Sequence, residues 1–361
     1  MTAERLGLWP GVPLALGSAI LFGASTPFTK ILLGEVHPWM MAGLLYLGAG
    51  AGLLAYQCLR GAFRFAPAGA PLRRGDLPWL LAALVAGGVA GPVLLMFGLS
   101  SIDAASASLL LNLEGLATMA IAWVVFRENV DRRLLVGAAA ILVGAVLLAW
   151  PGEGPALSAG ALLIAAACVA WGIDNNLTRK ISGADSVQLA MMKGLVPGAV
   201  NLGIAVALGA GLPSAATIAA ALAVGFLGYG VSLVFYVMGL RYLGAARTAA
   251  YFGIAPFVGA ALAVYMFAEP VTAALIVSGL LMAIGVWLHA TERHHHAHTH
   301  ERMAHEHMHI HDSHHRHKHG PDAPPGEPHS HWHVHEKTTH THPHYPDLHH
   351  RHGHGEKETG G

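Results

Sequence analysis

Charged residues are scarce in this chain of 361 residues. Lys, Arg, Asp and Glu make up 12% of it, against roughly 25% in ordinary soluble domains, whereas hydrophobic residues make up 54%. This balance excludes a water-soluble globular protein. The formal net charge is zero, so the composition does not predict nucleic acid as a partner.

Cysteine and the common catalytic motifs are also lacking. The two cysteines, Cys58 and Cys168, lie in separate apolar runs and form no C-x-x-C motif. The chain has no G-x-x-x-x-G-K-[ST] phosphate loop, no H-E-x-x-H zinc motif and no G-x-S-x-G nucleophile elbow. We therefore expect neither an enzyme nor an ATP-driven pump, and no cofactor is required.

Long apolar runs dominate the chain as far as Ala290. A helix needs about 20 apolar residues to cross the hydrocarbon of a bilayer, and ten runs approach this length. The sequence therefore predicts an all-α polytopic membrane protein with ten transmembrane helices. The predicted spans are 12–33, 38–59, 77–99, 103–126, 132–150, 157–178, 187–209, 215–239, 245–267 and 271–290.

Positive charge in the short links predicts the orientation. Lys30 is the one basic residue at one set of helix ends, whereas twelve basic residues before the tail lie at the opposite set. Because cytoplasmic loops carry the excess of Lys and Arg, both termini are expected in the cytoplasm, in the cell (inner) membrane. The twelve are Arg5, Arg60, Arg64, Arg73, Arg74, Arg127, Arg132, Arg133, Arg179, Lys180, Arg241 and Arg247.

The body contains an internal repeat. When the chain is shifted along itself until Phe126 falls on Phe267, Glu128 falls on Glu269 without a gap. This predicts two five-helix domains, 12–150 and 151–290. Because five is odd, the second copy enters the membrane from the other side, as in many secondary transporters. Chance similarity between Ala- and Gly-rich membrane segments is the alternative.

The motifs resemble those of the EamA-type permeases of the drug/metabolite transporter superfamily. The segment Phe22-Gly23-Ala24-Ser25-Thr26-Pro27-Phe28 is similar to the family's opening helix, and Trp171-Gly172 repeats it. Phe126-Arg127-Glu128-Asn129 and Phe267-Ala268-Glu269-Pro270 resemble its signatures that close the fourth and ninth helices, and Pro256 matches its proline in the ninth. The resemblance implies a carrier of small metabolites with a central site between two halves.

Two positions depart from that family. Glu114-Gly115 stands where the family usually has proline in the fourth helix. Leu44-Leu45-Tyr46 stands where it often has arginine in the second. The substrate therefore cannot be carried over by analogy at these positions.

Few ionisable residues lie inside the predicted spans. Glu114 is near mid-depth beside Asn112, Asp174 adjoins Asn175, and Lys193 lies in the seventh helix. Since such residues usually face a cavity or a partner, we expect Glu114 to bind or exchange a proton or a cationic substrate group, with an internal ion pair that orients helices as the alternative. Asp174 and Lys193 either shape the charge of the cavity or form an internal ion pair that orients helices.

Three further candidates for the transport path carry hydroxyl groups. Ser25 and Thr26 precede Pro27, which predicts either a broken helix lining the site or a plain kink. Tyr251 is expected to line the path or to serve in packing. Glu128 and Glu269 lie at the membrane edges, where a helix-end role is expected.

The segment 291–361 holds all of the 26 histidines except His37 and His289. It contains too few apolar residues to offset chain entropy, so we expect a disordered, His-rich cytoplasmic tail. Closely spaced imidazoles suit Zn, Ni, Co or Cu(II), so metal buffering or sensing is expected, with a pH-responsive or inert segment as alternatives. The candidate ligands are His305, His307, His309, His311, His314, His315, His317, His319, His329, His331, His333, His335, His340, His342 and His344.

These features together predict a secondary transporter that exports or exchanges a small metabolite by alternating access. The tail is expected to bind divalent metal as a buffer or regulator. The alternatives are a divalent metal transporter and a non-transporting, membrane-anchored metal sensor. The expected partners are a small-molecule substrate, the lipid bilayer and metal ions, and the sequence does not decide between a monomer and a homodimer.

Overall fold

A computed structural model describes most of the body and four segments of the tail. The described residues are 11–62, 72, 74–126, 132–150, 157–181, 185–243, 248, 251–291, 294–300, 303–309, 329–335 and 338–344. The chain divides into two compact units, Met1–Thr291 and Glu292–Gly361.

The first five helices form one half of the body. They are α1 (Gly11–Leu33), α2 (Pro38–Ala62), α3 (Leu77–Ala83, π-helical Leu84–Ala90 and Gly91–Ser101), α4 (Ala104–Leu110 and Leu113–Phe126) and α5 (Arg132–Ala149).

The second half has the same succession. It comprises α6 (Ala159–Lys180), α7 (Ser186–Ala207), α8 (Ala215–Gly225, π-helical Phe226–Val231 and Ser232–Leu243), α9 (Ala255–Phe267) and α10 (Ala273–Ala290).

Nine helices of the described body are long and apolar enough to cross a membrane, and α9 is a shorter apolar helix of 13 residues. Large apolar side chains such as Val124 and Leu280 are exposed on the outside of the bundle, where lipid would cover them. The predicted all-α, polytopic fold with ten spans is confirmed.

Polar side chains fix where several helices begin. The Asp103 carboxylate accepts from the Ser106 N–H at 2.7 Å at the start of α4. Thr272 accepts from the Leu275 N–H at 3.1 Å at the start of α10. These side chains satisfy N–H groups that have no partner within the helix, which is the reason Asp, Ser and Thr favour this position.

The packing of the helices has the symmetry of a repeat. α1 packs against α8 and α9, and the corresponding helix of the second half, α6, packs against α3 and α4. α2 packs against its counterpart α7, and α5 against its counterpart α10. Each half therefore supplies the other half's main packing surface.

Irregular turns recur at matching places in the two halves. The π-helical segments begin at Leu84 in α3 and at Phe226 in α8. α4 is interrupted by a turn at 111–112, and a turn at 253–254 precedes α9. π-helical turns are rare in proteins overall, and those that occur are often found at functional sites. Their presence at matching places in the two halves therefore indicates that both turns take part in function.

Glycine permits the closest approach of the two halves. A Cβ atom on Gly50 in α2 would lie 2.4 Å from the backbone nitrogen of Leu195 in α7, and one on Gly194 would lie 2.5 Å from that of Gly50. Without side chains at this crossing, the backbones approach closely enough for extensive van der Waals contact.

Four short segments of the tail are described. They are four strands, β1 (His294–His300), β2 (Met303–His309), β3 (His329–His335) and β4 (Thr338–His344). β1 pairs antiparallel with β4, and β2 with β3. The alternation of His with other residues has the period of a strand, and the sequence interpretation did not use that signal.

Candidate functional site

The π-helical segment of α3 is a meeting point of three helices. The Gly87 carbonyl oxygen accepts hydrogen bonds from the Tyr46 hydroxyl of α2 and from the Trp171 indole N–H of α6, both at 2.9 Å. The next carbonyl, that of Gly88, accepts from the Asn201 amide of α7 at 3.1 Å. Side chains from both halves are therefore anchored on this short segment.

Asp174 and Lys193 form an ion pair beside that segment. The Lys193 ammonium lies 2.7 Å and 2.8 Å from the two carboxylate oxygens of Asp174. The Thr178 hydroxyl donates to the same carboxylate at 2.9 Å. The structure thus brings these two candidates into the internal ion pair that was one of their two expected roles.

Glu114 is held differently, by neutral groups. Its Oε1 accepts from the Asn175 amide at 3.0 Å, and that amide also donates to the Thr118 hydroxyl at 3.1 Å. Among the described residues, no Lys, Arg or His nitrogen lies within 4.0 Å of the Glu114 carboxylate. The carboxylate of one half is therefore positioned by an amide of the other.

Asn112 is not a partner of Glu114. Its amide donates to the Leu109 carbonyl at 2.9 Å and contacts the Met282 sulfur at 3.8 Å. It thereby satisfies a carbonyl at the end of the first segment of α4. The interruption of α4 places Glu114 in the first turn of the second segment.

The Glu114–Asn175 pair faces open space inside the body. Asn175 is exposed although it lies about 200° around α6 from the exposed Ile173, and hence on the face away from lipid. Gly115, next to Glu114, would carry a Cβ with no atom within 4 Å. Gly115 lies about two turns from the buried Ala122 and therefore on the same face of α4. The open space at Gly115 is thus on the side of the helix that faces the interior of the body.

Five aromatic side chains line the interior near Glu114, and we call Phe22, Tyr46, Tyr229, Tyr236 and Phe252 the aromatic cluster. All five are half-buried. The Tyr229 ring centroid lies 5.6 Å from that of Phe22 and 5.7 Å from that of Tyr46. Phe252 lies 5.3 Å from Phe22 and 5.0 Å from Tyr236. Glu114 lies within electrostatic range of the hydroxyl groups of all three tyrosines of the cluster.

The hydroxyl candidates of α1 are only partly at this site. α1 continues through Pro27, so the expected break is not found. Ser25 donates to the Phe22 carbonyl at 2.6 Å and lies near the Tyr229 side chain, beside the aromatic cluster. Thr26 is buried. Tyr251 precedes the turn before α9, and no hydrogen bond or ring contact joins it to the other described candidates.

A second polar cluster closes the end of the bundle where α1 and α3 finish and α4 begins, here called the far end. Both oxygens of Glu269 accept from the first N–H groups of α4, those of Ala104 at 2.8 Å and Ala105 at 2.9 Å. The Lys30 ammonium donates to the Leu99 and Ile102 carbonyls at the end of α3. Each charge thus lies at the helix end whose dipole it complements.

The helix-end role expected for Glu269 is therefore present in the structure. Its repeat partner Glu128 lies outside the described residues. Among the candidate metal ligands, the described strands contain those at 305, 307, 309, 329, 331, 333, 335, 340, 342 and 344. The remaining five, His311, His314, His315, His317 and His319, lie outside the described residues.

Comparison with known proteins agrees with the two-repeat architecture. The model of the EamA-like transporter family matches residues 9–150 and again 158–291. The chain belongs to the EamA-like transporter family. This EamA-like protein is 29% identical over 296 residues to an uncharacterized transporter of Methanothermobacter thermautotrophicus, covering 78% of the chain and 86% of that relative.

A solved crystal structure shares the fold of this EamA-like transporter. The TM-score is 0.58 at 19% sequence identity, and the match covers 78% of this chain and 98% of the other. The family is one of transporters, so the predictions of a multi-pass membrane transporter and of a non-enzyme are confirmed.

Sequence reasoning missed several parts of this transporter's site. The π-helical segments were not predicted, although Gly87 and Gly228 fall on each other under the same shift that aligns Glu128 with Glu269. The hydrogen bonds of Tyr46 and Trp171 to Gly87 and the contacts of Lys30 carry no local sequence signal. They arise only when distant helices meet.

Proposed function

We propose that this protein is a secondary transporter that exports or exchanges a small metabolite by alternating access. Its substrate site is the space around Glu114 and Asn175, bordered by the aromatic cluster. The observation that carries this proposal is the Glu114–Asn175 hydrogen bond at 3.0 Å, which joins the two halves beside the open space inside the body.

The symmetry of the fold supports this mode of transport. Inverted halves that pack in equivalent ways can exchange conformations, so a site between them opens alternately to the two sides. At the far end, Glu269 binds the start of α4 and Lys30 binds the end of α3, and these bonds are candidates for a gate on that side. Inserting an ionisable residue into the membrane is costly. Such a residue without an opposite charge beside it is therefore a candidate member of the transport site.

Flux into proteoliposomes tests the proposal. The purified protein is reconstituted and offered labelled amino acids, nucleosides and amines, with and without an imposed proton gradient. We expect flux of at least one solute in wild-type vesicles and its loss in Glu114→Gln. Glu35→Gln, which neutralises an exposed carboxylate outside the site, should leave flux unchanged. Absence of flux for every solute, or unchanged flux in Glu114→Gln, would remove this site from the mechanism.

We also propose that the tail binds divalent metal. The charge of the links predicts that both termini lie on the cytoplasmic side of the cell (inner) membrane. The histidines of the tail are numerous and closely spaced, as a flexible metal buffer requires. Among the described residues of the body, no group of three His, Cys, Asp or Glu side chains could hold a metal ion.

Deletion of residues 291–361 distinguishes the roles of the tail. We expect the truncated protein to retain solute flux and to lose any response to Ni, Co or Zn. Uptake of the metal itself that requires the body would instead support a metal transporter, and metal binding without any solute flux would support a sensor. Indifference of the full chain to metal would contradict all versions in which the tail binds metal.

A further inference from the structure

The charges inside the body leave one carboxylate without a cation. Asp174 and Lys193 neutralise each other at 2.7 Å. Among the described residues, the Glu114 carboxylate accepts a hydrogen bond from the neutral Asn175 amide, and no cationic nitrogen lies within 4.0 Å. Lys193 and Asp174 also act on Glu114 electrostatically, but as an ion pair whose charges cancel. Because a bare charge is costly in a low-dielectric site, Glu114 requires either a proton or a bound cation.

The groups around Glu114 favour one kind of cation. Aromatic faces attract cations through the ring quadrupole, and attract most when water is excluded. The aromatic cluster brings rings from both halves of the body together, and Glu114 lies within electrostatic range of the hydroxyl groups of Tyr46, Tyr229 and Tyr236. A site built from one carboxylate, one amide and several rings suits a cation that is itself largely apolar.

The same groups are poorly suited to other ligands. A divalent metal ion needs several oxygen, nitrogen or sulfur ligands, and the described residues include no such group around Glu114. An anion would be repelled by the carboxylate. A neutral polar solute would not replace the proton on Glu114, so the carboxyl group would stay neutral and add no charge interaction to its binding.

We propose that the Glu114 site binds a small organic cation, with its ammonium group at the carboxylate and its apolar part against the aromatic cluster. This inference rests on the proposed transport function and names its substrate class. In the empty site, a proton on the carboxyl oxygen takes the place of the cation. Binding of the cation therefore releases that proton to solvent, and transport becomes an exchange of organic cation for proton.

Binding to the purified full chain tests the substrate class. Benzyltrimethylammonium is a permanent cation with an aromatic body, and tetramethylammonium lacks the body. Benzyl alcohol is neutral and phenylacetate is an anion. By isothermal titration calorimetry in two buffers of different ionisation enthalpy, we expect benzyltrimethylammonium to bind and release about one proton. Tetramethylammonium should bind about tenfold more weakly, since it loses most of the apolar contact, and the other two should not bind.

Variants locate the binding. Glu114→Gln should abolish both binding and proton release. Phe22→Leu, which removes a ring of the aromatic cluster, should weaken binding about tenfold, whereas Phe22→Tyr should retain it. Trp123→Leu removes a ring that is exposed on the outside of α4 and should leave binding unchanged. Thermal unfolding of each variant establishes that it is folded.

Two outcomes would overturn the inference. One is binding of phenylacetate or benzyl alcohol as tight as that of benzyltrimethylammonium. The other is unchanged cation binding in Glu114→Gln. The failure of the inference remains distinguishable from that of the proposed function. Proteoliposome flux of an amino acid or nucleoside without any organic cation flux would keep the transporter and discard the substrate class.

Discussion

At the scale of single residues, the interior charges divide into two functions. Asp174 of α6 and Lys193 of α7 are paired with each other, whereas the Glu114 carboxylate accepts from the Asn175 amide. Sequence reasoning found all three residues because charged side chains inside long apolar runs are conspicuous. It could not assign their roles, since the pairing depends on how α6 and α7 cross.

The Asp174–Lys193 pair predicts an asymmetry between single and double substitutions. Asp174→Asn leaves the Lys193 ammonium without its partner, and breaking a buried ion pair costs about 3 kcal/mol when one partner is partly exposed, as Lys193 is. Adding Lys193→Met removes the unpaired charge. We therefore expect thermal unfolding in detergent to give a clearly lowered Tm for the single variant and a largely restored one for the double variant. Equal Tm values for wild type and Asp174→Asn would show that the pair is not structural.

At the scale of elements, the breaks in regular helix determine where the site lies. The ten helices and their approximate bounds could be predicted, because apolar length alone decides which segments enter a membrane. The interruption of α4 at 111–112 could not, since the turn depends on Asn112 and its neighbours. The π-helical turns likewise depend on side chains that bond to Gly87 and Gly88 from other helices.

The π-helical turn of α3 leaves no room for a side chain at Gly87. A Cβ there would lie 2.0 Å from a carboxylate oxygen of Asp174. Gly87→Ala should therefore displace Asp174, disturb its pairing with Lys193 and destabilise the protein by about 1–3 kcal/mol. Gly203→Ala in α7 is the matched control, because nothing lies within 4 Å of its Cβ position. Equal stability of both variants, measured by thermal unfolding, would contradict the close approach.

The far end depends on Glu269 as a helix cap. Gln at this position keeps one acceptor oxygen but places an amide N–H against the second backbone N–H, so one of the two bonds to Ala104 and Ala105 is lost along with the charge. Glu269→Gln should cost about 1–2 kcal/mol. Glu35→Gln neutralises another carboxylate outside this cap and should have little effect on the Tm. A Glu269→Gln protein as stable as Glu35→Gln would exclude the capping role.

For the molecule as a whole, the two halves are equivalent in their packing, and the proposed site lies between them. The repeat was predicted from paired Phe and Glu residues, and the structure adds equivalent packing of α1 and α6 and paired π-helical turns. The tail is a separate unit, and its strands were not predicted because composition was weighed above alternation. In the proposed transport cycle, a site shared by inverted halves opens to both sides of the membrane.

The reactivity of a thiol at the site, measured from each side of the membrane, tests directly whether the site opens to both sides. Gly115→Cys places a thiol beside Glu114 in open space, and Cys58→Ser removes the exposed native thiol while the buried Cys168 remains. A membrane-impermeant maleimide is applied to right-side-out and to inside-out vesicles. We expect the thiol to be labelled in both vesicle orientations, and a transported solute to slow the labelling. Labelling from one side alone under all conditions, or from neither, would contradict this expectation.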